Sequence, residues 1–103
     1  MPFTKEITSY NVIYSANTFS PRIGLLNANQ FIGQLVFKPN GVQLPADFQR
    51  ANGQVDLHYH LDDFHNLLDI LRNEKPVFLN FNGSGPGFEN NIRTGSEPTG
   101  EEE

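Results

Sequence analysis

The chain has no cysteine and no tryptophan among its 103 residues. Without cysteine there is no disulfide framework, no thiolate metal site and no thiol nucleophile. The same absence fits a reducing compartment. No apolar run approaches the roughly 20 residues that span a bilayer. The N-terminus, MPFTKEITSY, lacks the apolar core of a signal peptide. The expectation is a soluble, cytoplasmic protein with no membrane partner. Basic residues are few and scattered: Lys5, Arg22, Lys38, Arg50, Arg72, Lys75 and Arg93. Nucleic acid needs cations clustered along a surface, so no nucleic-acid partner is expected. None of Ser9, Ser15, Ser20, Ser84 and Ser96 stands in the strand-turn-helix context of a serine nucleophile.

The formal net charge of −5 is unevenly placed. Glu97, Glu101, Glu102 and Glu103 crowd the last residues, and without them eight acids face seven bases. The body of the chain is therefore close to neutral. The division that follows is a single globular domain over 1–94 and a disordered acidic tail over 95–103, which has no apolar residue to bury. A domain of this size can bury roughly 60–70% of its unfolded surface, and nine Phe with three Tyr supply bulk for the core.

What is there is organised around residues 54–82, QVDLHYHLDDFHNLLDILRNEKPVFLNFN, which hold all three histidines. Phe64, Leu67, Leu68 and Leu71 recur at i, i+3, i+4 and i+7, the stripe of an amphipathic helix. Asp62 and Asp63 suit its positive end and Arg72 and Lys75 its negative end. Pro76 stops it, so the helix is expected over about 62–73. Before it, Val55, Leu57, Tyr59 and Leu61 alternate with Asp56, His58 and His60, a strand with one apolar and one wet face. After it, Val77, Leu79 and Phe81 share one face of a second strand.

Elsewhere, residues 5–16 read as one strand, with Tyr10, Val12 and Tyr14 on a common face. Residues 23–26 and 31–38 follow as strands, and Gly33 suggests a bulge or a close neighbour. Pro39-Asn40-Gly41 is a hairpin turn leading to a short edge segment at 42–44. Residues 46–53 form a loop in which Asp47 to Arg50 could make one helical turn. Residues 88–94 are a weak last strand. The order β-β-β-β-β-α-β-β implies an α+β domain, a mostly antiparallel curved sheet with a single helix on one face. An open barrel is the alternative.

Four features bear on function. His58 and His60, at i and i+2 on a strand, point the same way, and Asp62 could add a carboxylate. That set suits a divalent transition metal such as Zn²⁺, Cu²⁺ or Ni²⁺. The competing reading makes them solvent-facing strand residues and His65 a surface histidine beside Asp62 and Asp69. The loop Asn82-Gly83-Ser84-Gly85-Pro86-Gly87 has glycines that could approach a phosphate. It lacks the Lys-Ser/Thr of a P-loop, and no good helix follows, which favours a plain hairpin loop. Acid–base chemistry by Asp56, Asp62 and Asp63 beside the histidines has only proximity behind it. Finally, Tyr10, Tyr14, Phe19, Phe31, Phe48, Phe78 and Phe88 are more aromatic surface than one helix can cover. Either the sheet closes on itself or another protein covers it. The leading reading is a small non-enzymatic, protein-binding or accessory domain that forms a homodimer or docks on a protein partner, with no resident cofactor. The alternative is a metal- or small-ligand-binding domain, catalytic or not, centred on His58, His60 and Asp62.

Overall fold

The segment read as one strand over 5–16 is two strands that belong to different sheets. β1 (Phe3–Ile7) and β2 (Ser9–Ile13) are separated by Thr8 alone. Thr8 donates its N–H to Leu26 O at 2.8 Å, and its hydroxyl accepts from the Ala28 N–H, also at 2.8 Å. Asn27 Nδ2 donates to Glu6 O at 2.9 Å. These bonds satisfy the backbone groups a strand bend exposes, so the corner is held rather than frayed. The structure, a computed structural model, describes residues 2–85 and 87–95. The acidic tail expected over 95–103 lies, apart from Gly95, outside the described residues.

The remaining strands are β3 (Arg22–Asn27), β4 (Gln30–Lys38), β5 (Phe48–Gln49), β6 (Val55–His60), β7 (Val77–Phe81) and β8 (Asn91–Thr94). A three-stranded sheet has the order β1-β7-β8 and a five-stranded sheet the order β2-β3-β4-β6-β5. The fold is α+β, with two open sheets and one short helix, α1 (Phe64–Asn73), entered through a 3-10 turn at Leu61–Asp63. Neither sheet closes, so the barrel alternative is not the solution this chain takes. No helix among the described residues is long and apolar enough to cross a membrane.

The alternation seen in the sequence explains how the sheets face each other. Ile7, Val77, Leu79, Phe81 and Ile92 from one sheet meet Ile23, Leu25, Leu35, Phe37, Val55 and Leu57 from the other in a single core. Phe64 and Leu67 add the buried stripe of α1, and the Phe64 ring meets Phe37 edge-on at 4.9 Å. Burial of this kind contributes roughly 1.5–3 kcal/mol for each large side chain.

Two segments differ from the sequence reading. Residues 42–44 form no strand; instead Phe48 and Gln49, expected in a helical turn, pair antiparallel with Asp56 and Val55. The short edge element thus lies a few residues later than its hydrophobicity suggests. The other difference is pairing. β4 and β6 are parallel neighbours, Gly33 opposite Val55 through Lys38 opposite His60. The chain must then return from the end of β4 to the start of β6, and residues 39–54 make that return. Gly33 shows both features expected of it. Ile32 is an unpaired bulge residue between Phe31 and Gly33. A Cβ at Gly33 would stand 2.7 Å from Val55 O, so only glycine lets β4 and β6 approach there.

Candidate functional site

Of the polar residues on β6, Asp56 is buried and His58 and His60 are half-buried. Each one is engaged by the return segment 39–54, in reverse order along the chain. Asp56, 5% exposed, accepts two bonds from Arg50, at 3.0 Å from Nε and 2.7 Å from Nη2. Gln34 Nε2 adds a longer one at 3.3 Å. The hydrogen bond to Asp56 and its charge hold the Arg50 guanidinium more firmly protonated than usual. His58 gives its backbone N–H to Asp47 Oδ1 at 2.8 Å, and its ring stacks on Phe48 at 6.2 Å. The imidazole Nδ1 lies 3.5 Å from the same carboxylate oxygen, near enough for attraction and too far for a hydrogen bond. His60 Nε2 is 2.7 Å from Val42 O. Asp62 and Asn40 form a reciprocal pair, Asp62 N to Asn40 Oδ1 at 2.8 Å and Asn40 Nδ2 to Asp62 Oδ1 at 2.9 Å.

His58 and His60 therefore lie on one side of β6, and Asp62 lies in the 3-10 turn after it. The His60 ring and the Asp62 carboxylate each have their own hydrogen-bond partner, and the His58 ring lies against Asp47 and Phe48. Among the described residues no group of three or more His, Asp or Glu side chains is placed to hold a metal ion. His65 is exposed on α1, apart from this row. The glycine loop joins the clasp through Asn90, whose Nδ2 donates to Asp47 Oδ2 at 3.2 Å and to Gly83 O at 2.9 Å. A surface cleft of about 400 Å³ remains between Gln43–Asp47, His58 and Gly85. Tyr59, on the core face of β6, has its phenol pushed up to about 12 by burial, with Asp47 and Asp63 adding repulsion of the phenolate.

The opposite edge of the five-stranded sheet is different in kind. Among the described residues β2 pairs only with β3, Ser9 opposite Leu26 through Ile13 opposite Arg22, and no strand lies on its other side. Tyr10 packs against the core cluster. Val12 is 43% exposed, Ile13 36% and Tyr14 61%. Beside them stands the Phe31 ring, 48% exposed, which lies with the Asn11 side chain over Gly24. A Cβ at Gly24 would stand 2.5 Å from Asn11 Oδ1 and 2.9 Å from Phe31 Cε1, so both side-chain ends would have to shift to admit one. From Ile7 to Pro21 there is no charged residue.

Helix α1 approaches the residues at both ends of β2. Near its C-terminal end a cleft of about 580 Å³ is bounded by Thr8, Ser9 and Tyr10 on one side and by Leu71 to Lys75 on the other. Near its N-terminal end a smaller cleft, about 160 Å³, is lined by Tyr14, Leu61, Phe64 and His65. The Tyr14 ring meets Phe64 edge-on at 5.7 Å. A cleft thus lies between α1 and the residues at each end of β2. A free edge presents unpaired N–H and C=O groups, and a helix beside it gives side chains of an added strand a wall to pack on. The sequence named Tyr10, Tyr14 and Phe31 as surplus aromatic surface but did not single out Val12 and Ile13. The long uncharged run from Ile7 to Pro21 is the signal that could have found them.

Compared with protein-family models, with curated proteins and with solved structures, the chain matches none.

Proposed function

We propose that this chain is a non-catalytic interaction module that takes up an extended strand from another polypeptide along β2, and that it works in the cytoplasm. The observation that carries the reading is the free, uncharged edge of β2 with Val12, Ile13 and Tyr14 exposed. Natural proteins blunt such edges with charges, proline, bulges or a covering element, and β2 has none of the first two along its length. Backbone hydrogen bonds supply affinity in strand addition, and alternate side chains supply selectivity. Here the selective positions are those facing Tyr10, Val12 and Tyr14 beside the helix. The cytoplasmic reading rests on the cysteine-free sequence.

The test is a selection of short random peptides against the chain immobilised sparsely enough that copies do not meet. Expected are peptides with alternating apolar residues whose binding is lost in Val12→Lys and kept in Gln49→Lys, on the opposite edge. Peptides that bind both variants equally, or no enriched peptides at all, would overturn the reading.

A further inference from the structure

Resting on the strand-addition reading, we infer that the strand β2 accepts is the β2 of a second copy of this chain, paired antiparallel about a two-fold axis through Asn11. Three observations lead there. First, a two-fold contact sets each residue against its own kind or its mirror position, so a charged edge would repel itself. The run from Ile7 to Pro21 is uncharged, and the nearest charges along the chain, Glu6 and Arg22, lie outside it.

Second, the register is self-complementary. A two-fold axis perpendicular to a sheet keeps each face on its own side, so residues directly opposite must come from the same face of their strands. The strand of five residues, Ser9–Ile13, overlaps itself fully only when centred on Asn11. Tyr10 then stands opposite Val12 twice on the helix-facing side, and Ser9 opposite Ile13 twice on the other. Aromatic against β-branched is a favourable cross-strand pair. The already half-exposed Val12 gains a tyrosine ring.

Third, the exposed apolar surface is where such a contact needs it. Stable interfaces take about 800 Å² from each partner, more than a five-residue backbone edge offers. Tyr14 at the strand's end and Phe31 beside Asn11 extend the apolar surface on the two faces of the edge. The five-stranded sheet would continue across the axis into its copy.

The experiment measures mass in solution over a wide concentration range for the wild-type chain and for Asn11→Lys and Asn11→Glu. Like charges meeting at the axis should weaken self-association about tenfold or more, and an equal mixture of the two variants should restore it. A second pair, Ser9→Lys mixed with Ile13→Glu, checks the same register if the Asn11 variants unfold on heating well below the wild type. A wild-type dimer that neither pair alters associates by another surface and overturns the inference. A wild-type chain that stays monomeric overturns it as well. In either case peptides that still bind in a Val12-dependent way leave strand addition standing, and their absence from a monomeric chain removes both.

Discussion

The five-stranded sheet has two edges, and the chain treats them in opposite ways. At one, β5 is only two residues long, and the return segment 39–54 lies over the outer side of β6. There Arg50, Asp47, Val42 and Asn40 meet Asp56, His58, His60 and Asp62 one after another. At the other, β2 carries no charge, and Val12, Ile13 and Tyr14 are left to solvent. The difference teaches that polar residues on a strand are not by themselves a sign of a reactive site. Here the polar row closes an edge and the apolar row leaves one open.

The largest break in this comparison comes from Gly33. Gly33→Val would push β4 away from β6, and the clasped side hangs on that pairing. Overpacking of this kind costs roughly 2–3 kcal/mol, so thermal unfolding should move down by about 10–15 °C. Asp47→Ala is next. It removes the acceptor of the His58 N–H and of Asn90 Nδ2, which should cost roughly 1–2 kcal/mol by chemical denaturation. Amide exchange should rise at His58 and in 82–90 while β2 is unchanged.

A pH series probes the inner side of the clasped strand. The Tyr59 phenol, pushed up to about 12 in the fold, titrates near 10 when unfolded. Because the folded value is the higher one, its contribution is fully present below about pH 10 and is lost as pH rises through about 12. Tyr59→Phe should remove that alkaline step from a stability profile.

Val12→Lys makes the contrast sharp from the other side. An exposed edge position should change stability by about 0.5 kcal/mol or less, yet this substitution should abolish strand binding. Added Zn²⁺, Cu²⁺ or Ni²⁺ should have the smallest effect. A site filled at 100 times its Kd adds about 2.7 kcal/mol, whereas His60 and Asp62 already have hydrogen-bond partners and His58 is packed between Asp47 and Phe48. A metal-specific rise in unfolding temperature that His58→Ala and His60→Ala abolish would instead support the metal reading.

Much of the fold could be read from local pattern. The helix expected over about 62–73 is the 3-10 turn and α1 together. The buried faces of β6 and β7 follow the alternation of Val55-Leu57 and Val77-Leu79-Phe81. Asn40-Gly41 and Asn52-Gly53 both place glycine at positive φ, 85° and 93°. The site was less legible. His58 and His60 do share a side of their strand, but nothing near them in sequence announces Asp47 or Val42 as partners. Phe19, Phe31, Phe48 and Phe88 were recognised as surplus apolar surface and remain exposed, while which edge they flank depends on strand order.

Sequence alone determined the helix and the apolar faces of β6 and β7, because helix and strand periods are set by neighbours a few residues apart. It also determined the uncharged character of the stretch that became β2. Only the tertiary structure decided that Thr8 divides one apolar stretch between two sheets, that β4 and β6 run parallel, and that residues 39–54 therefore cross the polar face. Those outcomes depend on pairings between distant residues, whose energy comes from burial and hydrogen bonds made once the sheets meet. Which edge is sealed and which is left open is settled at that stage.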